Sequence, residues 1–374
     1  MLSLFVGAAC SRELLQPKIG YHIAMRRAFL LFLLLLTNCF LASCDKEPLY
    51  NTQSYVFGTL VDISIYGETE LAAQEISNQI IRDFQALHNR LHAWRPSELK
   101  TLNRAFALGK IPVTIKPDLA EMISDATRLS IQSKGAFNPS IGGLIEAWGF
   151  HQDEFKPTDI DENKLKGLVQ ANPQMTDITI ENGKVFSTNQ SVQLDFGGYA
   201  KGYALDLAIM NLRKQGVKNA LINIGGNIIA LGQHGDKPWR VGIQHPRKPN
   251  AIAVLNLESS WAIGTSGDYQ RFFDLDGRRY CHIIDPATGY PVQGTQAVTV
   301  LIPPQSHAGV MSDVASKPIF IAKSDSRAEA AKSMGVENFL VIESTDKIWV
   351  SVAMAKRITW LDKDAAKNVV QIQP

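Results

Sequence analysis

Asp195-Phe-Gly-Gly-Tyr-Ala-Lys-Gly-Tyr-Ala-Leu-Asp206 is the stretch around which the rest of the chain can be read. Ser191-Val-Gln-Leu before it alternates and reads as a strand. From Ala200 onward Tyr203, Ala204, Leu207, Ala208 and Leu212 recur at helical spacing until Gly216 stops them. A glycine-rich strand-to-helix turn points backbone N–H groups out of the positive end of a helix, and Lys201 adds a full charge there. That combination suits a phosphate. Taken alone, it also suits a plain helix entry with a solvated lysine.

The two sides of this turn differ. Upstream, Asp45–Thr52 reads as a short polar tether that ends at about residue 53, and Ser54–Tyr66 as a strand with Phe57, Ile63 and Ile65 on one face. Leu71–Leu91 follows as an amphipathic helix striped by Ile76, Ile80, Ile81, Phe84 and Leu87. A loop through Trp94-Arg-Pro-Ser-Glu leads to a helix from Pro117 to about Ser133. Ile141–Trp148 is a short helix, and Thr158–Thr188 a polar region of weak strands. Downstream, strand-like runs dominate: Ala220–Ile224, Trp239–Gln244, Ile252–Leu257, Trp261–Gly264, Tyr280–Ile284 and Ala297–Ile302. Gly225-Gly226, Pro246 and Asp276-Gly277 separate them. Regular βαβ alternation is missing, so the expected class is α+β, with mostly antiparallel sheets and flanking helices.

The N-terminus reads as an export signal. Arg26-Arg27 precede an apolar run from Ala28, and Leu41-Ala-Ser-Cys44 closes it; Thr37 and Asn38 leave the run short for a membrane span. Met25 is the natural start of such a signal. Leu-Ala-Ser-Cys resembles the lipobox of bacterial lipoproteins, which implies lipidation of Cys44 and removal of residues 1–43. Four of the 38 basic residues (Arg12, Lys18, Arg26, Arg27) and one of the 36 acidic ones (Glu13) precede Cys44, leaving 34 and 35. A near-neutral chain argues against a nucleic-acid partner. Cys281 then remains as the one thiol, so no intrachain disulfide is expected. Residues 54–374 are expected to form one domain.

Four more segments carry polar chemistry: Asn223-Ile-Gly-Gly-Asn227, Gly264-Thr-Ser-Gly-Asp-Tyr269, His282-Ile-Ile-Asp-Pro-Ala-Thr-Gly-Tyr-Pro291, and Ser312-Asp313-Val-Ala-Ser316-Lys317. Paired glycines admit a backbone close to a ligand. Asp313, Ser316 and Lys317 share a face if that segment is helical. Each segment alone also fits an ordinary turn or cap.

In order, the five segments resemble the ApbE family of flavin transferases. Gly58-Thr59, Trp94 with Pro96-Ser-Glu-Leu, and Phe137-Asn-Pro-Ser-Ile-Gly-Gly-Leu-Ile-Glu-Ala-Trp-Gly-Phe150 extend the likeness over Tyr55–Ile342. The resemblance implies an ApbE-like, T-fold-like α+β domain with an FAD cleft between two lobes. It implies transfer of the FMN moiety of FAD to a threonine or serine hydroxyl of an acceptor protein, with release of AMP and help from Mg²⁺. His282 would be the general base. Phe57, Trp94, Ala136, Phe137, Asn138, Asp195, Lys201, Ser266, Gly267, His282 and Ile283 would contact FAD. Gly198, through its carbonyl, and Asp313 would hold the metal. The third ligand in the family is a threonine; Lys317 stands there, and a protonated lysine cannot ligate a cation. Either Ser316 supplies the oxygen, or Lys317 is a fixed charge beside the pyrophosphate. Phe57 replaces the family's usual methionine, a change between large apolar groups. The expected acceptor is a membrane redox subunit, and the expected location is the periplasmic face of the bacterial inner membrane, through the Cys44 lipid anchor. An FAD pyrophosphatase giving FMN and AMP, and a non-catalytic FAD-binding lipoprotein, remain as alternatives.

Overall fold

The computed structural model describes residues 48–152, 154–157 and 160–373. The leader, with Met25, Cys44 and the start of the tether, lies outside them. Glu47–Pro374 forms one compact unit.

Its centre is a nine-stranded sheet. Across it run Leu49–Val56, Thr59–Tyr66, Asn219–Ile224, Asn227–Leu231, Ala262–Gly267, Thr295–Ile302, Asn338–Glu343, Ile348–Ser351 and Val369–Ile372, in chain order. Every neighbouring pair is antiparallel except the last, which is parallel. The α+β class and its antiparallel pairing follow from this arrangement.

Thr295–Ile302 is buried along its whole length because both faces of the sheet are covered. Val298, Val300 and Ile302 point into one core, with Val61 and Ile63 of the second strand. Against them pack the helices Glu70–Arg90, Ala200–Lys214 and Ala308–Ile321, through residues such as Ile80, Phe84, Ala204, Leu205, Val310 and Val314. Ala297 and Leu301, on the opposite face, meet a small sheet of Trp239–Gln244, Ala251–Leu257 and Ile358–Trp360. Period-two alternation thus assigns each strand residue to one layer. A third, smaller cluster joins Ile141, Leu144, Trp148 and Phe150 to Phe273 and Ile284.

Several elements depart from the sequence expectation. The strand expected over Ser54–Tyr66 is two strands of a hairpin, and Leu49–Thr52, expected as tether, belong to the first of them. The two-residue turn is Phe57-Gly58, with φ of 56° and 70°. Positive φ at both positions is what a twist-matched hairpin turn requires; apolar alternation continuing through the turn hides it. The loop after Trp94 contains a helix, Glu98–Ala107, capped by Ser97, whose side chain accepts from the Lys100 N–H. A further helix, Glu162–Ala171, capped by Asp161, lies in the region expected to hold only weak strands. In Ser191–Leu194, Ser191 lies in a turn and only Gln193 bridges, to Ile141, so the segment is no regular strand. Past Gly267 the chain adds the ribbon Phe272–Leu275 and Arg278–Cys281, which ends before His282 rather than at Ile284.

The Ala200–Lys214 and Ala308–Ile321 helices touch backbone to backbone. A Cβ at Gly202 would stand 2.4 Å from the Gly309 carbonyl oxygen, and one at Gly309 would stand 2.5 Å from the Gly202 carbonyl oxygen. Only glycines permit this approach. Asp206 then caps the second helix, accepting from the N–H groups of Gly309 and Val310 at 2.8 and 2.9 Å. The residues quoted as a turn-to-helix motif therefore also dock one helix start against another.

Candidate active site

The docked helices bring Lys201 and Asp313 together. Asp313 is 2% exposed. Its Oδ2 accepts the Gly202 N–H at 3.2 Å, and its Oδ1 lies 2.8 Å from Lys317 Nζ and 3.4 Å from Lys201 Nζ. Burial alone would push the carboxyl pKa up; the two ammonium groups pull it down to about 2. The helix N-terminus that was expected to seat a phosphate has thus turned one of its amides to Asp313. Lys201 also donates to the Gly197 carbonyl at 2.8 Å.

Lys317 lies one turn beyond Asp313 in a helix that continues through Pro318 to Ile321. Its chain crosses Gly198, where a built Cβ would stand 2.6 Å from Lys317 Cε. Ser316, the alternative metal ligand, faces elsewhere. Its hydroxyl is 2.7 Å from that of Ser266 and donates to the Asp313 carbonyl at 3.0 Å. Both serines are buried, so this pair fastens the helix to the strand Ala262–Gly267.

His282 follows the ribbon end. Its Nδ1 is 3.2 Å from the Arg271 carbonyl oxygen, and its own N–H donates to that same carbonyl at 3.1 Å. Desolvation, then the charges of Arg271, Lys201 and Lys317, drive the imidazole pKa down to about 3. The ring of Phe150 lies 6.5 Å away, edge-on, and itself stacks on Phe273. The ring is therefore neutral at pH 7, supported by an aromatic cluster, and close enough to three cations to feel each of them.

Arg271 is the residue the motifs missed. It sits two positions beyond Tyr269, where the quoted turn ends, and donates to the Phe57 carbonyl at 3.1 Å. That bond ties the site to the hairpin turn, whose Phe57 ring packs at 5.9 Å from Phe84 and 5.6 Å from His88. Arg247 is a second unforeseen group; it grips Asp268 of the Ser-Gly-Asp-Tyr turn with two bonds of 2.7 and 2.6 Å.

The remaining expected residues divide. Trp94 Nε1 donates to Asp195 Oδ2 at 3.2 Å, while Oδ1 accepts the Gly197 N–H at 2.7 Å. A Cβ on Gly267, at the end of its strand, would run into the Tyr269 ring at 2.2 Å. Phe137 and Ile283 are buried among core residues. The Asn138 amide is used within the fold, donating to Pro173 and accepting from Ser140. Ala136 lines a cleft of about 220 Å³ with Pro318 and Ile321.

A divalent cation of the Mg²⁺ type wants a near-octahedral shell of oxygens. Near Asp313 there is one side-chain carboxylate, already shared by two ammonium groups, the Gly197 carbonyl, already accepting from Lys201, and a serine bonded elsewhere. No cluster of three or more histidine, cysteine or acidic side chains suited to a metal occurs among the described residues. The residues present do not fit a resident dication. They fit an anion: Lys201 and Lys317, two ammonium groups, both lie on the single buried carboxylate of Asp313.

The ApbE family model matches residues 57–340. A FAD:protein FMN transferase of Rhodobacter capsulatus is 38% identical over 304 residues, covering 81% of this chain and 57% of that protein. The chain thus spans little more than half of that relative's length. A FAD:protein FMN transferase of Haemophilus influenzae is 29% identical over 321 residues, with 81% and 90% covered. Among solved structures, the ApbE protein of Thermotoga maritima has a TM-score of 0.75 and 26% identity, with 83% of this chain and 99% of that one covered.

Proposed function

The chain belongs to the ApbE family, and from that premise we propose that it transfers the FMN moiety of FAD to a threonine or serine hydroxyl of an acceptor protein, releasing AMP. The observation that carries the reading is the pair of ammonium groups, Lys317 and Lys201, held 2.8 and 3.4 Å from the buried Asp313 carboxylate, with His282 Nδ1 fixed on the Arg271 carbonyl. A diphosphate diester brings two negative charges, and its cleavage adds charge at the departing phosphate oxygens. Fixed cations in a partly dry site stabilise that charge without reorganising.

His282 supplies the proton acceptor. Its Nδ1 faces a carbonyl, which can only accept, so Nδ1 carries the ring proton and Nε2 keeps its lone pair. Nε2 takes the proton from the acceptor hydroxyl as its oxygen attacks the FMN phosphorus. The bond from that phosphorus to the bridging oxygen breaks, and AMP leaves with the oxygen. The proton passes from the imidazole to AMP or to solvent. Phe57 and Trp94 offer flat surfaces to the flavin and adenine rings.

The acceptor we propose is a membrane redox subunit, and Cys44, if lipidated, would hold the enzyme near it on the periplasmic face of the inner membrane. The Mg²⁺ that the family resemblance implies would have to displace Lys317 from Asp313.

One incubation tests the reading. The chain lacking its leader is mixed with FAD and an acceptor fragment carrying a flavinylation threonine. A covalently fluorescent acceptor band together with AMP is the expected result. AMP and free FMN without labelling would make it a pyrophosphatase; bound FAD and no AMP would make it a carrier.

A further inference from the structure

Asp313 and Lys317 stand one helical turn apart with their charged ends 2.8 Å apart, and the lysine chain lies against Gly198. We propose that the Lys317 ammonium takes the place of a divalent cation in this chain, so that the FAD diphosphate is bound and FMN transferred without a metal. This rests on the FMN-transferase reading and names the charge that does the neutralising.

Three observations converge. The first is occupancy: Lys317 Nζ already holds the Asp313 carboxylate, one of the two groups through which the family would hold a metal, and its chain passes beside the Cα of Gly198, the residue that would supply the other. The Ser316 hydroxyl is spent on Ser266 and the Asp313 carbonyl, and the Gly197 carbonyl accepts from Lys201. The second is charge. Lys317 and Lys201 both lie on Asp313, at 2.8 and 3.4 Å, so two ammonium groups face one carboxylate; Asp195 is turned to Trp94 and the Gly197 N–H. The excess positive charge suits the anionic diphosphate diester. A dication added to the same carboxylate would face two like charges at close range. The third is anchoring. Lys317 also donates to the Asp313 carbonyl, so its ammonium is held by two acceptors from one turn. A held ammonium spends little side-chain entropy when the anion arrives.

The test uses Mn²⁺ as a spectroscopic stand-in for Mg²⁺. Mn²⁺ is titrated into the chain, with and without FAD, and the free ion read by electron paramagnetic resonance. In parallel, FAD affinity is read by flavin fluorescence, and AMP release is measured in EDTA and in Mg²⁺. The wild type should bind no Mn²⁺ at this site, and its FAD affinity and AMP release should agree within about twofold in the two buffers. Lys317→Thr should gain one Mn²⁺ site; its FAD affinity should fall about tenfold or more in EDTA and recover in Mg²⁺. Lys317→Met, which removes the charge and adds no oxygen, should lose affinity in both buffers while keeping the wild-type circular dichroism. One Mn²⁺ per wild-type chain, or wild-type FAD binding that EDTA abolishes, overturns the proposal. A wild type that binds no FAD in either buffer overturns the transferase reading instead. The Mn²⁺ titration then still decides the lysine, uptake by the wild type counting against it and uptake by Lys317→Thr alone counting for it.

Discussion

His282 Nδ1 lies 3.2 Å from the backbone carbonyl oxygen of Arg271, and this contact fixes which nitrogen of the imidazole can act as a base. Replacing His282 by alanine removes the proton acceptor and leaves the three cations in place. Acceptor labelling should fall by about 10²–10⁴-fold, while FAD affinity changes little. In-gel fluorescence of the acceptor and fluorescence titration of FAD separate the two quantities. A variant that still labels at the wild-type rate would take His282 out of the base role.

The same residue sets a pH dependence of stability. The native imidazole resists protonation down to about 3, against an ordinary value of 6.5. Between those values the unfolded chain binds the proton and the native chain does not, so the native state loses stability as pH falls through the window and is unaffected above it. Urea unfolding should show His282→Gln with a flatter profile below neutrality, the difference reaching about 1–2 kcal/mol between pH 6.5 and 5. In turnover, a diphosphate bound beside the ring lifts its pKa, so the acid limb of kcat should lie at higher pH than that of kcat/KM.

Arg271 acts on this ring and on the hairpin together. Arg271→Ala removes one of the three cations and the donor to the Phe57 carbonyl. FAD should bind about 10–100-fold more weakly, on the order of 1.4 kcal/mol per factor of ten. Losing a nearby positive charge also raises the His282 pKa, so the acid limb of AMP release should move to higher pH than in the wild type. Weakened binding with an unshifted limb would mean that Arg271 positions the hairpin but exerts no field on the base.

These side-chain relationships mark the boundary of what the sequence makes legible. The helix expected from Ala200 until Gly216 is found at Ala200–Lys214, because apolar spacing ended by glycine is a local signal. The hairpin at Phe57-Gly58 reads in the sequence as one strand, since nothing but Gly58 marks its turn. Ser97 and the buried Leu99, Leu102 and Phe106 outline the Glu98–Ala107 helix, yet that outline is short and follows a proline-containing loop. Motif order alone points to Asp313, Lys201 and His282. Their convergence depends on docking two helices across a glycine pair, and on a ribbon turning Arg271 back toward the hairpin. Contacts between elements far apart in sequence leave no periodic trace. Lys317 was visible as a departure from a pattern; only its 2.8 Å contact with Asp313 gives that departure a physical meaning.

Trp94 and Asp195 offer a milder probe of the opposite wall. Trp94→Phe keeps an aromatic face and deletes the Nε1 donor to Asp195. Asp195 retains the Gly197 N–H, so the turn should keep its shape. Losing one hydrogen bond to a carboxylate costs about 1.5–3 kcal/mol, so FAD affinity should fall by about 10–100-fold at most. Trp94→Ala also removes the stacking surface and should cost clearly more. Equal losses in the two variants would assign the whole effect to the hydrogen bond.

The helix docking that assembles the site can be broken with a single methyl group. Gly202→Ala would put a Cβ 2.4 Å from the Gly309 carbonyl oxygen and 2.6 Å from Val310 Cα, both backbone atoms that cannot swing aside. The helices must separate, at a cost of about 1–3 kcal/mol for overpacking. Separation also lengthens the Gly202 N–H bond to Asp313 and moves Lys201 away from that carboxylate. Thermal unfolding should therefore start several degrees lower, and FAD affinity should fall in the same variant. Gly183→Ala is the control: that glycine has φ of +72° but no neighbour within 4 Å of its built Cβ, so it bears backbone strain without a clash. Its melting temperature should fall modestly and its FAD affinity should not change. If Gly202→Ala melted lower yet bound FAD like the wild type, the helix pair would be a structural joint that the substrate does not sense.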